Sequence, residues 1–137
     1  MKCILATAAI LIAAIIPLSA AEEPTVETAK YWEIAGPADK VTWIEIHSFQ
    51  KIDGIDVAHV EVMSRKKGSK PWEFEHLLPH LAITVDALKK SVIRPLKVHS
   101  VYPESYESDY NFWKKKFDEG NIVVCKTSIS DALSAAK

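Results

Sequence analysis

The chain has 137 residues, of which 17 are basic and 18 acidic, a formal net charge of −1, and 48% are hydrophobic. That length fits one domain of ordinary size with its own core. The near-neutral balance supplies no global field to draw in nucleic acid, so no nucleic-acid partner is expected.

Lys2 precedes an apolar run from Ile4 to Ile16, Pro17 breaks the run, and Leu18-Ser19-Ala20-Ala21 provides small residues for cleavage. The pattern predicts a secretory signal over residues 1–21, with the mature chain starting at Ala21 or Glu22 and working in the periplasm or as a secreted protein. A dozen or so apolar residues fall short of the ~20 needed to cross hydrocarbon, so no transmembrane segment is expected after cleavage. Loss of Lys2 leaves a formal charge of −2, and loss of Cys3 leaves Cys125 as the only thiol, so an internal disulfide is excluded. Residues 22–30 are polar, contain Pro24, and read as a flexible leader to a single domain over 31–137.

Tyr31–Ile34 is a short strand candidate closed by Gly36-Pro37. Val41–Gln50 and Ile55–Ser64 are rich in β-branched residues and flank Asp53-Gly54, which predicts a β-hairpin. A three-residue bulged loop pairs Lys51 with Ile55 and sets Ile44 against Val62, Ile46 against Val60 and Ser48 against Ala58 on one apolar face. The other face then opposes Trp43 to Met63, Glu45 to Glu61, His47 to His59 and Phe49 to Val57.

Arg65, Lys66, Lys67 and Lys70 make a basic turn, read as a solvated hairpin end. Trp72–Ile83 is ambiguous, because Pro79 opposes a continuous helix. Thr84 is a helix N-cap candidate with Val85, Leu88 and Val92 at helical spacing, and Arg94-Pro95 ends that helix. Alternation through Leu96, Val98, Ser100 and Tyr102 suggests a strand. Pro103 and Ser105 open a second helix that Gly120 ends, and its stripe Tyr106, Tyr110, Trp113 and Phe117 reads as a core face. Asn121–Ile129 is the last strand candidate, and Ser130 begins a short terminal helix. The order predicts an α+β domain, a largely antiparallel sheet with an N-terminal β-hairpin and two main helices packed on one face.

Two readings of function follow. One is a small exported, non-catalytic binding or interaction domain whose contact surface is Trp43, His47, Phe49 and His59, with a protein or small-molecule partner in the cell envelope or outside the cell and no cofactor. The sequence carries no nucleophile-elbow, phosphate-loop, Cys-x-x-Cys or dinucleotide pattern that would ask for catalysis. The other is a metal-binding protein or metal-dependent hydrolase. Glu45, His47, His59 and Glu61 would form a two-by-two patch, and two imidazoles with two carboxylates suit zinc or another divalent metal. His76 and His80 stand four apart, but Leu77-Leu78-Pro79 between them lacks a zinc-protease glutamate. Cys125, inside Ile122-Val123-Val124-Cys125-Lys126, reads as a packed thiol.

Overall fold

The computed structural model describes residues 23–97 and 106–135. The expected signal segment, and His99 with most of the expected Leu96–Tyr102 strand, lie outside those residues. Within the described residues five strands form one antiparallel sheet: β1 (Tyr31–Ile34), β2 (Lys40–Ile52), β3 (Ile55–Lys66), β4 (Phe74–Thr84) and β5 (Val92–Pro95), in the spatial order β4-β3-β2-β1-β5. Among the described residues three helices complete the α+β domain: α1 (Val85–Ser91), α2 (Tyr106–Asp118) and α3 (Ile129–Ala135). No helix among the described residues is long and apolar enough to cross a membrane.

The long β2–β3 pairing positions everything that follows. Ile52 and Ile55 close a two-residue turn in which Asp53 (φ 50°) and Gly54 (φ 78°) are both left-handed. Asp-Gly tolerates that conformation, and such a turn matches the strand twist. The bulge expected in the loop instead falls at His47. Ile46 still pairs with Val60, but Ser48 pairs with His59 and Phe49 with Ala58. The outer half of the expected register therefore holds, including Trp43 on Met63, Ile44 on Val62 and Glu45 on Glu61, while the turn half shifts by one residue.

One sheet face carries the larger core. Ile44, Ile46, Ala58, Val60, Val62 and Ile83 pack there with Trp32 and Ile34 of β1, Ala87 and Leu88 of α1, and Ile129 of α3. Val57 and Ala82, each adjacent in sequence to a member of that core, point the opposite way, as strand alternation requires, and meet Trp113 of α2. The helices thus cover both faces, which corrects the expectation of packing on one. The reason is apolar residue supply: the Tyr106–Phe117 stripe needs its own apolar partners, and the far face is already taken by α1 and α3. The β2–β3 pair is also preceded by β1, so it is not the first element of the sheet.

Local chemistry sets the boundaries. Thr84 caps α1 with its hydroxyl accepting from the Ala87 N–H at 3.3 Å. Ser91 accepts from the Ile129 N–H at 3.0 Å and so joins the end of α1 to the start of α3. Pro79 is accommodated because β4 is an edge strand, with register shifts to either side of Val62 on β3. The expected strand at Asn121–Ile129 is reduced to a single parallel bridge between Cys125 and Ile83, and Cys125 packs against the larger core. Residues 23–30, read from sequence as a loose leader, are tied down. Val26 is in the core, Ala29 packs beside it, and the Ile46 N–H donates to the Lys30 carbonyl at 2.8 Å.

Gly36 illustrates how tightly the far end of β1 is packed. A Cβ there would overlap Thr42 Oγ1 and lie 2.9 Å from Thr42 Cβ, and Thr42 is buried, so rotation of the side chain alone does not relieve the contact. Gly36→Ala is expected to destabilise by about 1–3 kcal/mol, the usual range for overpacking; a chemical-denaturation midpoint equal to wild type would contradict this close approach.

Candidate metal centre

The second sheet face holds four of the five histidines of the chain and two buried glutamates. Glu45 and Glu61 oppose each other across β2 and β3, and each is only 1% exposed. Two carboxylates so placed repel unless cations or protons sit between them. Glu45 Oε1 pairs with Lys30 Nζ at 2.9 Å and accepts from Tyr31 Oη at 3.2 Å. Glu61 Oε1 meets His76 Nδ1 in a short contact, and Glu61 Oε2 lies 3.4 Å from His47 Nε2.

The bulge places His47. In a bulge two residues of one strand oppose a single residue of the other, and here His47 and Ser48 together oppose His59. Both contact Tyr106 at the start of α2. Its ring stacks on His47 with centroids 3.9 Å apart, and its hydroxyl lies 3.2 Å from Ser48 Oγ. Burial raises the Tyr106 phenol pKa, so the group stays neutral beside the cluster. One donor atom from each of Glu45, His47 and Glu61 falls within 4.8 Å of the others.

His59 is not part of this group. Its Nε2 lies 2.8 Å from Gln50 Oε1 and its Nδ1 lies 2.9 Å from His80 Nε2. An amide oxygen only accepts, so His59 carries its proton on Nε2 and presents a lone pair at Nδ1, and His80 donates to that lone pair from Nε2. Burial lowers the pKa of both rings, and for His80 burial with the neighbouring His59 and His47 brings it down to about 4. Tyr110 and Trp113 of α2 close over the pair, with Trp113 edge-on to His59 at 4.8 Å.

Of the expected contact residues, Trp43, His47 and His59 lie on this face. Phe49 does not: the shift at His47 turns it to the opposite face, where it is exposed beside Val85 and Glu27. Of the expected ligand patch, Glu45, His47 and Glu61 come together and His59 turns away. The residue missed is His76, which reaches Glu61 from β4. Even spacing relates Phe74, His76, His80 and Ala82, but Leu78 in the same series packs on the larger core, because register shifts on either side of Val62 break the alternation, so the spacing alone did not mark His76.

The described residues thus form an antiparallel α+β domain with a His/carboxylate cluster on one sheet face. The chain belongs to the family described as Domain of unknown function (DUF5086), whose model matches residues 2–136. No curated protein matches it.

Proposed function

We propose that this is an exported binding domain, acting in the periplasm or outside the cell, whose sheet face takes up a divalent transition-metal ion through Glu45, His47 and Glu61. The observation that carries the reading is the geometry of three donors from two rigid strands. Two ligands of a tetrahedral zinc at 2.0–2.1 Å stand about 3.3 Å apart. The 3.4 Å between His47 Nε2 and Glu61 Oε2 is long for a hydrogen bond but suits two such ligands. A mixed nitrogen and carboxylate set favours a borderline ion such as Zn²⁺ over Ca²⁺ or Mg²⁺.

The surroundings support the same reading. Tyr106 holds the His47 ring, Tyr31 and Lys30 hold Glu45 through Oε1, and His76 holds Glu61, in the manner of groups that orient metal ligands. The side chain of His76 is 42% exposed while those of Glu45 and Glu61 are 2% exposed, so β4 is the side from which an ion arrives. The apolar run before Glu22 supports export.

Titration calorimetry of the chain lacking residues 1–21 with Zn²⁺ tests the assignment. Micromolar or tighter binding is expected, lost in His47→Ala and in Glu61→Gln, retained in His59→Ala, and weakening as acid protonates the imidazole that must ligate. Equal loss in His47→Ala and His59→Ala would instead restore the four-residue patch read from sequence. Absence of binding to the folded wild-type protein would remove the metal reading altogether.

A further inference from the structure

We infer that the concavity beside Glu45 binds a small aromatic carboxylate. It has a volume of about 550 Å³, within the range of small-molecule sites, and it lies on the half of the sheet face that α2 does not cover. The inference does not rest on the metal reading, although Glu45 borders both sites.

The walls come from alternate strand positions. Trp43 pairs across the ladder with Met63, and Arg65 with Phe74, so all four point into the same space. Trp43 and Phe74 are tilted at 59° with centroids 6.0 Å apart, offering a ring face and a ring edge to a planar guest. Trp72 stands at the rim, 69% exposed. A large aromatic left in water next to an apolar hollow is the kind of surface that marks a ligand.

Charge selects the class of guest. The one carboxylate in the wall, Glu45, already has Lys30 at 2.9 Å. The two cations in the wall are Arg65 and Lys97, and neither has a carboxylate partner among the described residues. Arg65 donates through Nη1 to the Ser69 carbonyl at 3.2 Å, which leaves most of its five donors for a guest. A guanidinium takes a carboxylate in a bidentate grip, whereas a cationic guest would meet two like charges. An aromatic ring against Trp43 and Phe74, with its carboxylate toward Arg65 and Lys97, satisfies both parts of the wall.

The probe is 2-naphthoate, with neutral 2-naphthamide as its isostere, titrated into the chain lacking residues 1–21 in the presence of EDTA. Tryptophan fluorescence reports affinity, and ¹H–¹⁵N spectra report place through the indole N–H signals. Saturable sub-millimolar binding of the acid is expected, about tenfold tighter than the amide, with shifts at Trp43 and Trp72. Arg65→Met and Lys97→Met should each narrow the gap between acid and amide, and Lys97, being exposed, keeps the test informative if the Arg65 variant fails to fold. Equal affinity for acid and amide, no saturable binding of the acid, shifts confined to tryptophans other than these two, or binding that appears only when Zn²⁺ replaces EDTA would each overturn the proposal. The last of these would place the carboxylate on the metal, and it leaves the two readings distinguishable.

Discussion

Trp113→Ala is expected to cost about 3–5 kcal/mol of stability, the range for removing a large buried aromatic. Trp113 is the one buried residue of α2, 5% exposed, and its ring serves as the contact between that helix and the sheet. It lies edge-on to His59 at 4.8 Å, stacks on Phe117 at 5.0 Å, and packs with Val57 and Ala82. Removing it leaves a void over two imidazoles, of which His59 has both ring nitrogens hydrogen-bonded and His80 has Nδ1 without a partner among the described residues, so the cost is mainly the lost packing. Urea unfolding gives the measurement. If mutant and wild-type transitions overlay, α2 is not held by its aromatic stripe. On the metal reading proposed above, Glu45, His47 and Glu61 stand on strands, so the folded variant should bind zinc within a few fold of whatever affinity the wild type shows.

The elements with strong local chemistry were legible in the sequence. Tyr31–Ile34, the Thr84 cap, the aromatic stripe and the Gly120 stop all fall where their residues place them. The β2–β3 register was legible only down to Ile46. Burial of one apolar face fixes the pairing of Ile44 with Val62 and Ile46 with Val60, and an Asp-Gly turn fixes the other end. The two constraints differ by one residue, so a bulge is required somewhere between Ile46 and the turn. Alternation counts that extra residue but does not locate it. Placing it at Gly54 makes His47 the neighbour of His59; placing it at His47 adds Ser48 to the site, sends Phe49 to the far face, and leaves His59 for Gln50 and His80.

The β4 and β5 strands were missed for a different reason. Pro79 and Pro95 are poor interior strand residues, but both strands are edges, where a missing N–H costs no ladder bond. Edge position is a property of topology and is not written in either segment. His76 was lost from the candidate site with β4. Cys125 shows the converse case: its β-branched neighbours promise a strand, yet it makes one bridge, with its N–H donating to the Ala82 carbonyl at 2.8 Å and its carbonyl accepting from the Thr84 N–H at 2.9 Å.

Stability should fall as the solution is taken from pH 6.5 toward pH 4, and the His59–His80 pair supplies much of that loss. His80 in the folded chain has its pKa held down to about 4 by burial first, then by His59 and His47, and burial lowers His59 as well. An ordinary histidine titrates near 6.5, so between these values the unfolded chain binds protons that the folded chain refuses. The contribution is complete above that window and is lost as pH falls through it. The hydrogen bonds give the cause. His59 Nδ1 already accepts from His80, so protonating His59 would set N–H against N–H. His80 Nδ1 is buried without a partner among the described residues, so a proton there would bring a charge with no acceptor. Each excess proton is worth about 1.4 kcal/mol per pH unit, and because solvent reaches part of the His80 ring, a total near 1–2 kcal/mol is expected. His80→Gln keeps a donor for His59 but removes the titrating group. Wild-type and variant stabilities, measured by urea unfolding at pH 7.0, 5.5 and 4.5, should converge in acid, with the wild type losing more. Parallel pH profiles would mean that the folded protein accepts a proton on this pair, and that the imidazoles are not enclosed beneath Tyr110 and Trp113.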